Sequence, residues 1–333
     1  MKTRLYFLSV IFCISCTTPK GENEKWQKER ENIVNVKDDV REIDTDDIPI
    51  GNVAQPYICG KYLVVEDYSS AEKAVHVFDK HSFKYLASLG DIGQGPAEIT
   101  VAGSIGWNEK EHDLYVTDNG QRKILRYNLD SLLNDSLYAP SVKLKFGNSA
   151  FPDDYYYVND TLVYGSFMKT TASSFNQSCG KWNMMTGEHK LIDYVHPADE
   201  KKRVAFAVSP QYNVLVECNR RYDLMSLYNL EGELQCNVYG PNWDKSGDRK
   251  AHFKDAVICD GKIFVSYIGE DWRRNNGARV LHVFDIAGDY LKTLHVGCKI
   301  NRICSDEENK RIIMNLDSEY QFAYLDIGKY FNR

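Results

Sequence analysis

Seven side chains stand out as able to hold another molecule: Arg220, Arg221, Trp243, His252, Trp272, Arg273 and Arg274. Trp and Arg are favoured anchors where proteins meet, and a Trp face also stacks on a sugar ring. Groups able to make or break bonds are harder to find. The chain has no Gly-x-Ser-x-Gly nucleophile elbow and no Cys-x-x-Cys or His-rich cluster spaced for zinc. Asp44-Thr45-Asp46-Asp47 opens like a calcium loop, but the glycine at its sixth position and the glutamate at its twelfth are missing, so it reads as a charged turn. With 47 acidic residues, chance carboxylate pairs abound, and no general acid and base can be singled out. No catalytic residue, metal or cofactor is expected.

The glycine-rich stretch Leu89-Gly90-Asp91-Ile92-Gly93-Gln94-Gly95-Pro96-Ala97-Glu98 is a different kind of candidate. It is not a phosphate loop, because it lacks the Gly-Lys-Ser/Thr ending and a following helix. Gly93 and Gly95 permit unusual backbone angles and Pro96 fixes the next φ. The stretch reads as a structural turn, a sharp crossing between sheets, with Glu98 at its end.

The elements that must position these residues begin after an address. Lys2 and Arg4 precede an apolar run from Leu5 to Ile14, and then Ser15-Cys16. A basic start, a short apolar run and a small residue form an export signal. The run is too short for a membrane span, which needs roughly 20 helical residues. Cys13-Ile14-Ser15-Cys16 resembles a bacterial lipobox, in which a peptidase cuts before the cysteine and its sulfur carries a diacylglycerol. Cys16 is therefore the expected lipidation site and the link to the membrane. Residues 1–15 are the expected signal peptide, and the polar residues 16–32 the expected tether.

Losing Lys2 and Arg4 takes the formal charge from −6 to −8. A mildly acidic chain with no basic stripe argues against nucleic acid as a partner. Seven cysteines remain beyond Cys16, and an odd number cannot all pair within the chain. Cys59, Cys259 and Cys304 stand at matching places in Tyr-Ile-Cys-Gly, Val-Ile-Cys-Asp and Arg-Ile-Cys-Ser. Matching places on different repeats lie far apart, whereas a disulfide needs Cα atoms within about 7 Å. They read as small apolar packing residues.

A repeat of about fifty residues organises the rest. An apolar strand motif begins at Leu63, Leu114, Leu162, Leu215, Ile263 and Ile312, at separations of 51, 48, 53, 48 and 49 residues. A second strand ending in Asp or Asn follows each, beginning at Val75, Ile124, Gly180, Met225, Leu281 and Phe322. Alternating apolar residues with Gly, Asp and Asn turns are hairpin signals. Each unit thus holds four antiparallel strands, a to d, and six such sheets set radially make an all-β, six-bladed β-propeller over residues 33–333. His76 and His282 fall at matching places on strand c and read as repeat features. Ile33-Val34-Asn35-Val36 is expected to close the ring as the outer strand of blade six.

The b–c and d–a connections share one face of such a ring. Here they are the long ones: Met168–Ser178, Asn219–Tyr222 and Gly269–Gly277, with Gly90–Glu98, His196–Lys202 and Gly240–His252. Long loops on a rigid scaffold carry function, and the seven candidate binding residues sit on them. Together with the lipobox and the six repeats, Gly93, Gly95, Pro96 and Glu98 resemble the Gly-x-Gly-Pro-x-Glu-Phe motif of the Bacteroidetes six-bladed, TolB-like β-propeller lipoproteins, with Ile99 in the place of Phe. The resemblance implies a fold and a place in the cell envelope, at the outer membrane. The absence of a clear acidic run after Cys16 favours its periplasmic side. It carries over no catalytic residues. Two functions remain. One is a non-enzymatic binding or scaffold module with a protein or glycan partner, which expects no converging carboxylates at the channel entrance. The other is a hydrolase or lyase with polar groups or a divalent metal at the central channel, which needs three or more of Asp, Glu, Asn or His converging there.

Overall fold

The computed structural model describes residues 23–331 except 136, 148–150, 171–174, 199–201, 246–249, 272 and 274–276. The expected signal peptide, Cys16 and the first part of the tether lie outside the described residues. Alternating apolar segments pair as antiparallel hairpins. Blade one comprises Gln55–Cys59, Tyr62–Glu66, Lys73–Asp79 and Tyr85–Asp91. Blade two comprises Ala102–Asn108, Asp113–Asp118, Lys123–Asn128 and Ser141–Lys145. Phe151–Asn159, Leu162–Thr170, Phe175–Trp182 and His189–Leu191 form blade three. Val204–Ser209, Val214–Asn219, Leu224–Tyr228 and Leu234–Tyr239 form blade four. Blade five is Lys250–Cys259, Lys262–Asp271 and Ala278–Asp285, followed by the first half of the long strand Tyr290–Asp306. The second half of that strand opens blade six, which continues through Arg311–Asp317 and Phe322–Asp326. The first strand motif of every repeat lies on strand b and the second on strand c. Tight a–b turns need left-handed backbone; at Asp260-Gly261 both φ angles are positive, 48° and 66°, as a type I′ hairpin requires.

Each sheet is apolar on both faces because each is covered on both sides. Leu63 and Val65 pack toward blade six, while Val64 between them packs toward blade two. Six apolar layers result, one at each seam between neighbouring blades. Cys59, Cys259 and Cys304 are buried in three different layers, and all seven described cysteines are free thiols.

An N-terminal strand closes the ring, but not the one expected. Arg41–Ile43 pairs antiparallel with Phe322–Tyr324 and completes blade six. Ile33–Asn35 lies instead parallel to Thr293–His295, on the outer edge of blade five. Before it, Glu24–Trp26, expected as tether, runs parallel to Asn237–Tyr239 on the edge of blade four. The physical reason is direction. A chain travelling around the rim adds to successive outer strands in parallel, and only after the short turn Lys37–Asp39 can it run antiparallel to blade six. Val36 and Val40 flank that turn and bury their side chains in the blade five–six layer. This strap is also pinned in the middle. Arg30 Nη1 lies 2.9 Å from Asp223 Oδ1, both side chains almost wholly buried, beneath the rings of Phe253, Tyr267 and Phe284.

Candidate functional site

Inner strands of a propeller meet at the axis, so charges from blades that never touch each other come together only there. The electrostatics identify such a group. Asp154 on blade three feels Asp255 on blade five and Arg302 on blade six. Glu66 on blade one feels Arg302 and Asp154. Arg220, just past strand b of blade four, feels Arg302, Asp255 and Asp153. Lys254 feels Arg302, Asp255 and Arg220. Glu66, Tyr68 and Arg220 stand where strand b passes into the b–c connection, and Asp153, Asp154 and Arg302 stand near the start of strand a. The cluster therefore occupies the mouth of the central channel on the face where the b–c and d–a connections gather.

The acidic members are largely provided for. Asp255 accepts the Ile303 N–H at 2.9 Å and the Ala256 N–H at 3.0 Å. Asp153 accepts from Gln177 Nε2 at 2.8 Å, and Glu66 Oε2 accepts the Tyr57 hydroxyl at 3.3 Å. Burial favours their neutral forms. It lifts Asp154 to about 7, helped by Asp255 and Asp153, and it holds Glu66 well above the usual carboxylate range. The basic members are less well provided for. Arg220 Nε and Arg302 Nε are buried without a hydrogen-bond partner, as is Glu66 Oε1. Burial and the repulsion of Arg302 and Lys299 bring Lys254 down to about 8, although its Nζ donates to the Ile300 carbonyl at 3.1 Å. Burial opposes the charge of Arg302, but Tyr68, Asp255, Tyr57 and Asp154 outweigh it and raise its affinity for the proton. No group of three or more His, Cys, Asp or Glu among the described residues is arranged to hold a metal ion.

Of the seven residues singled out by sequence, five are described, and these do not gather at one place. Arg220 reaches the mouth. Arg221 lies beside it on the rim, its guanidinium 5.9 Å from the Tyr222 ring centre. Trp243 folds back on blade four, with Tyr239, Tyr222 and His196 at 4.9, 5.5 and 5.4 Å between ring centres. His252 is buried between blades four and five, its Nδ1 3.1 Å from the Tyr267 hydroxyl, and burial lowers its pKa to about 4. A neutral, enclosed imidazole offers no surface to a partner, so His252 is a packing residue. Arg273 is exposed, and Trp272 and Arg274 lie outside the described residues.

Gly93–Glu98 links the outer strand of blade one to the inner strand of blade two. Glu98 Oε2 accepts the Gly95 N–H at 2.7 Å, folding the turn on itself. Lys123 Nζ donates to the Pro96 carbonyl at 2.8 Å and ties the turn to blade two. A Cβ at Gly93 would fall 2.0 Å from the Glu98 carboxylate, so the glycine makes room for the hydrogen bond.

Sequence reading missed Glu66, Asp153, Asp154, Lys254, Asp255 and Arg302. One signal was available: Asp154 and Asp255 each stand eight residues before the strand b motif of their repeats, at Leu162 and Ile263. A charge at the same inner-strand position of two repeats marks the channel wall.

Residues 44–214, just over half of the chain, match the family DUF5128, described as a 6-bladed beta-propeller. The chain belongs to this family. The matched part of this 6-bladed propeller begins just after the closing strand Arg41–Ile43 and runs into blade four. Solved structures share the fold at low identity. A luciferin-regenerating enzyme is 10% identical with a TM-score of 0.56, over 86% of this chain and 94% of that one. The Cps50 (Swd1) beta-propeller domain of Myceliophteria thermophila is 9% identical with a TM-score of 0.55, over 86% of this chain and 99% of that one. A Bacteroides fragilis protein described as exported is 14% identical with a TM-score of 0.52, over 88% of each chain. No curated protein matches the sequence.

Proposed function

We propose that this propeller is a lipoprotein of the cell envelope, anchored at the outer membrane through Cys16, that binds a partner at its channel-mouth face without transforming it. One observation carries the binding reading: five blades contribute charged groups to that mouth, and some of their hydrogen-bonding capacity is left unused inside the protein. Arg221, Arg273 and Trp243 belong to the rim around it. The export signal, the lipobox and the resemblance to Bacteroidetes lipoproteins support the location. The Bacteroides fragilis neighbour described as exported agrees with it. Capture from detergent-solubilised envelopes tests the reading. The full-length protein should retain a protein or glycan, and Arg221→Glu with Arg273→Glu should release it. Equal retention by the variant would refute the assignment of the face, and Cys16→Ser should turn the chain soluble if Cys16 is the anchor.

A second reading, a hydrolase or lyase, draws on the convergence of Glu66, Asp153, Asp154 and Asp255, since the binding reading expected no converging carboxylates at the channel entrance and that expectation is not met. Binding is the stronger reading, because those carboxylates are interleaved with Arg220, Lys254 and Arg302 and most are committed to hydrogen bonds within the wall.

A further inference from the structure

The acceptors of the mouth are mostly used: Asp255 by two backbone N–H groups, Asp153 by Gln177, and one oxygen of Glu66 by Tyr57. What remains is a set of donors. Arg220 Nε and Arg302 Nε are each buried and unpartnered. The remaining oxygen, Glu66 Oε1, belongs to a wholly buried side chain, whose carboxyl burial holds well above its usual range. The guanidinium groups come from blades four and six, which are not neighbours, so no strand pairing brings them together. They act on each other as like charges, and Lys254, which feels both, adds a third. Asp255 and Asp153 offset part of this repulsion, but Asp255 is held by two backbone N–H groups and Asp153 by Gln177, so the half-buried guanidinium groups keep hydrogen-bonding capacity for a further anion.

We propose that the channel mouth binds a small oxyanion, a carboxylate or phosphate group, through the Arg220 and Arg302 guanidinium groups. The N–H fork of a guanidinium matches two oxygens of such a group side by side, which an ammonium cannot do. Lys254 supplies a point charge, and the Tyr68 ring, 6.0 Å from the Arg302 guanidinium, walls one side. The inference rests on the reading of this face as the binding face and names the chemistry its centre recognises.

The test is calorimetric titration of the detergent-solubilised full-length protein with inorganic phosphate and, separately, with glucuronate, in sodium chloride of matched ionic strength. At least one should bind saturably, and the two arms tell a phosphate site from a carboxylate site. Arg302→Gln and Arg220→Gln should each weaken binding about tenfold or more. Arg302→Lys keeps the charge but loses the fork, and should weaken it too. Lys110→Gln, a fully solvated lysine on the opposite face, should change nothing. Circular dichroism of each variant excludes a folding failure, and Arg302→Lys provides a milder replacement if a glutamine variant does not fold. Absence of saturation with both anions, or binding by Arg302→Gln and Arg220→Gln equal to that of the unchanged protein, would overturn the proposal. Capture of an envelope partner that persists alongside such a result leaves the binding face standing and removes only its anion chemistry. Saturable, arginine-dependent anion binding with no captured partner does the reverse.

Discussion

Replacing Asp223 with alanine is expected to be among the most damaging single changes in the molecule. Its carboxylate pairs with Arg30 Nη1 at 2.9 Å, with side-chain exposures of 0% and 5%. It also accepts the Tyr267 hydroxyl at 3.2 Å and the Asn242 N–H at 3.1 Å. The two partners are not equivalent. Without Asp223, Arg30 is a desolvated cation whose guanidinium carbon lies 5.4 Å from the ring centres of Tyr267 and Phe284 and 5.8 Å from that of Phe253. Attraction to aromatic faces offsets about 0.5–2 kcal/mol, whereas stranding one charge of a buried pair costs about 3–5 kcal/mol. Asp223→Ala should therefore lose about 3 kcal/mol or slightly more. Arg30→Met leaves a carboxylate that keeps two hydrogen bonds, and its apolar stem still fills the aromatic cage, so about 2 kcal/mol is expected. The double variant removes both charges, and its loss should fall short of the sum by about 1–3 kcal/mol. Urea unfolding of the four proteins, followed by tryptophan fluorescence, measures the cycle. An Asp223→Ala loss below about 1 kcal/mol, or losses that add within about 0.5 kcal/mol, would mean that this charge pair does not pin the strap.

Other expectations are narrower. Gly90 has a φ of +77°, and a Cβ there would lie 2.7 Å from Ile99 Cδ1, so Gly90→Ala should cost about 1–3 kcal/mol in thermal unfolding. Glu98→Ala removes the acceptor of the Gly95 N–H, and amide exchange at Gly95 should quicken while that of the blade strands does not change. His252 has a folded pKa of about 4 against an ordinary 6.5, so its contribution is complete above pH 6.5 and is lost as pH falls toward 4. His252→Gln should flatten that part of the stability profile measured by urea unfolding at stepped pH. Asp154 behaves oppositely. Its folded value of about 7 lies above the ordinary 3.8, so its contribution is complete below 3.8 and is lost as pH rises through 7. Faced by Asp153, Asp255, Glu66 and Arg302, the ionised form opposes an anion in the mouth. Glucuronate, whose own charge is the same at both values, should therefore bind more tightly at pH 6 than at pH 8, and Asp154→Asn should reduce the difference in titrations at the two values.

How much of this was legible depends on the range of the interaction involved. Strands b and c were readable because their cause is local: two-residue alternation in runs such as Leu63–Asp67 and Val75–Asp79, punctuated by turns, repeated six times. The closing strand was not readable, because Arg41–Ile43 buries only Ile43 and carries no period of its own. Ile33–Val36 has the stronger apolar signal, yet its direction along the rim puts it on blade five. Arg30 gave no signal at all, since an arginine in a polar stretch announces neither Asp223 nor three rings that lie well over two hundred residues away. The channel mouth failed for the same reason on a larger scale: Glu66, Asp154, Arg220, Asp255 and Arg302 come from five repeats and become neighbours only when the ring closes.

The same geometry explains why a charged mouth is tolerable. In a layered domain the innermost residues are the core, and charges such as those of Asp154 and Arg302 at its centre would have to be paired or given up. Here the stabilising burial lies in the six seams, where Val64, Val216 and Val265 are wholly buried, and none of it depends on filling the axis. The inner strands are thus free to turn polar side chains toward one another across the channel. What limits them is closure, since the arrangement of Arg220 and Arg302 is only as fixed as the distance between blades four and six. The strap bears on that distance directly: it is paired to blades four, five and six in turn and pinned by Arg30 to Asp223. Weakening the Arg30–Asp223 pair should consequently loosen anion binding at the mouth even where the variant stays folded, although neither residue belongs to the mouth cluster. Titration of folded Arg30→Met with the anion that binds the unchanged protein tests this coupling, and an unchanged affinity would show that the seams alone hold the ring in register.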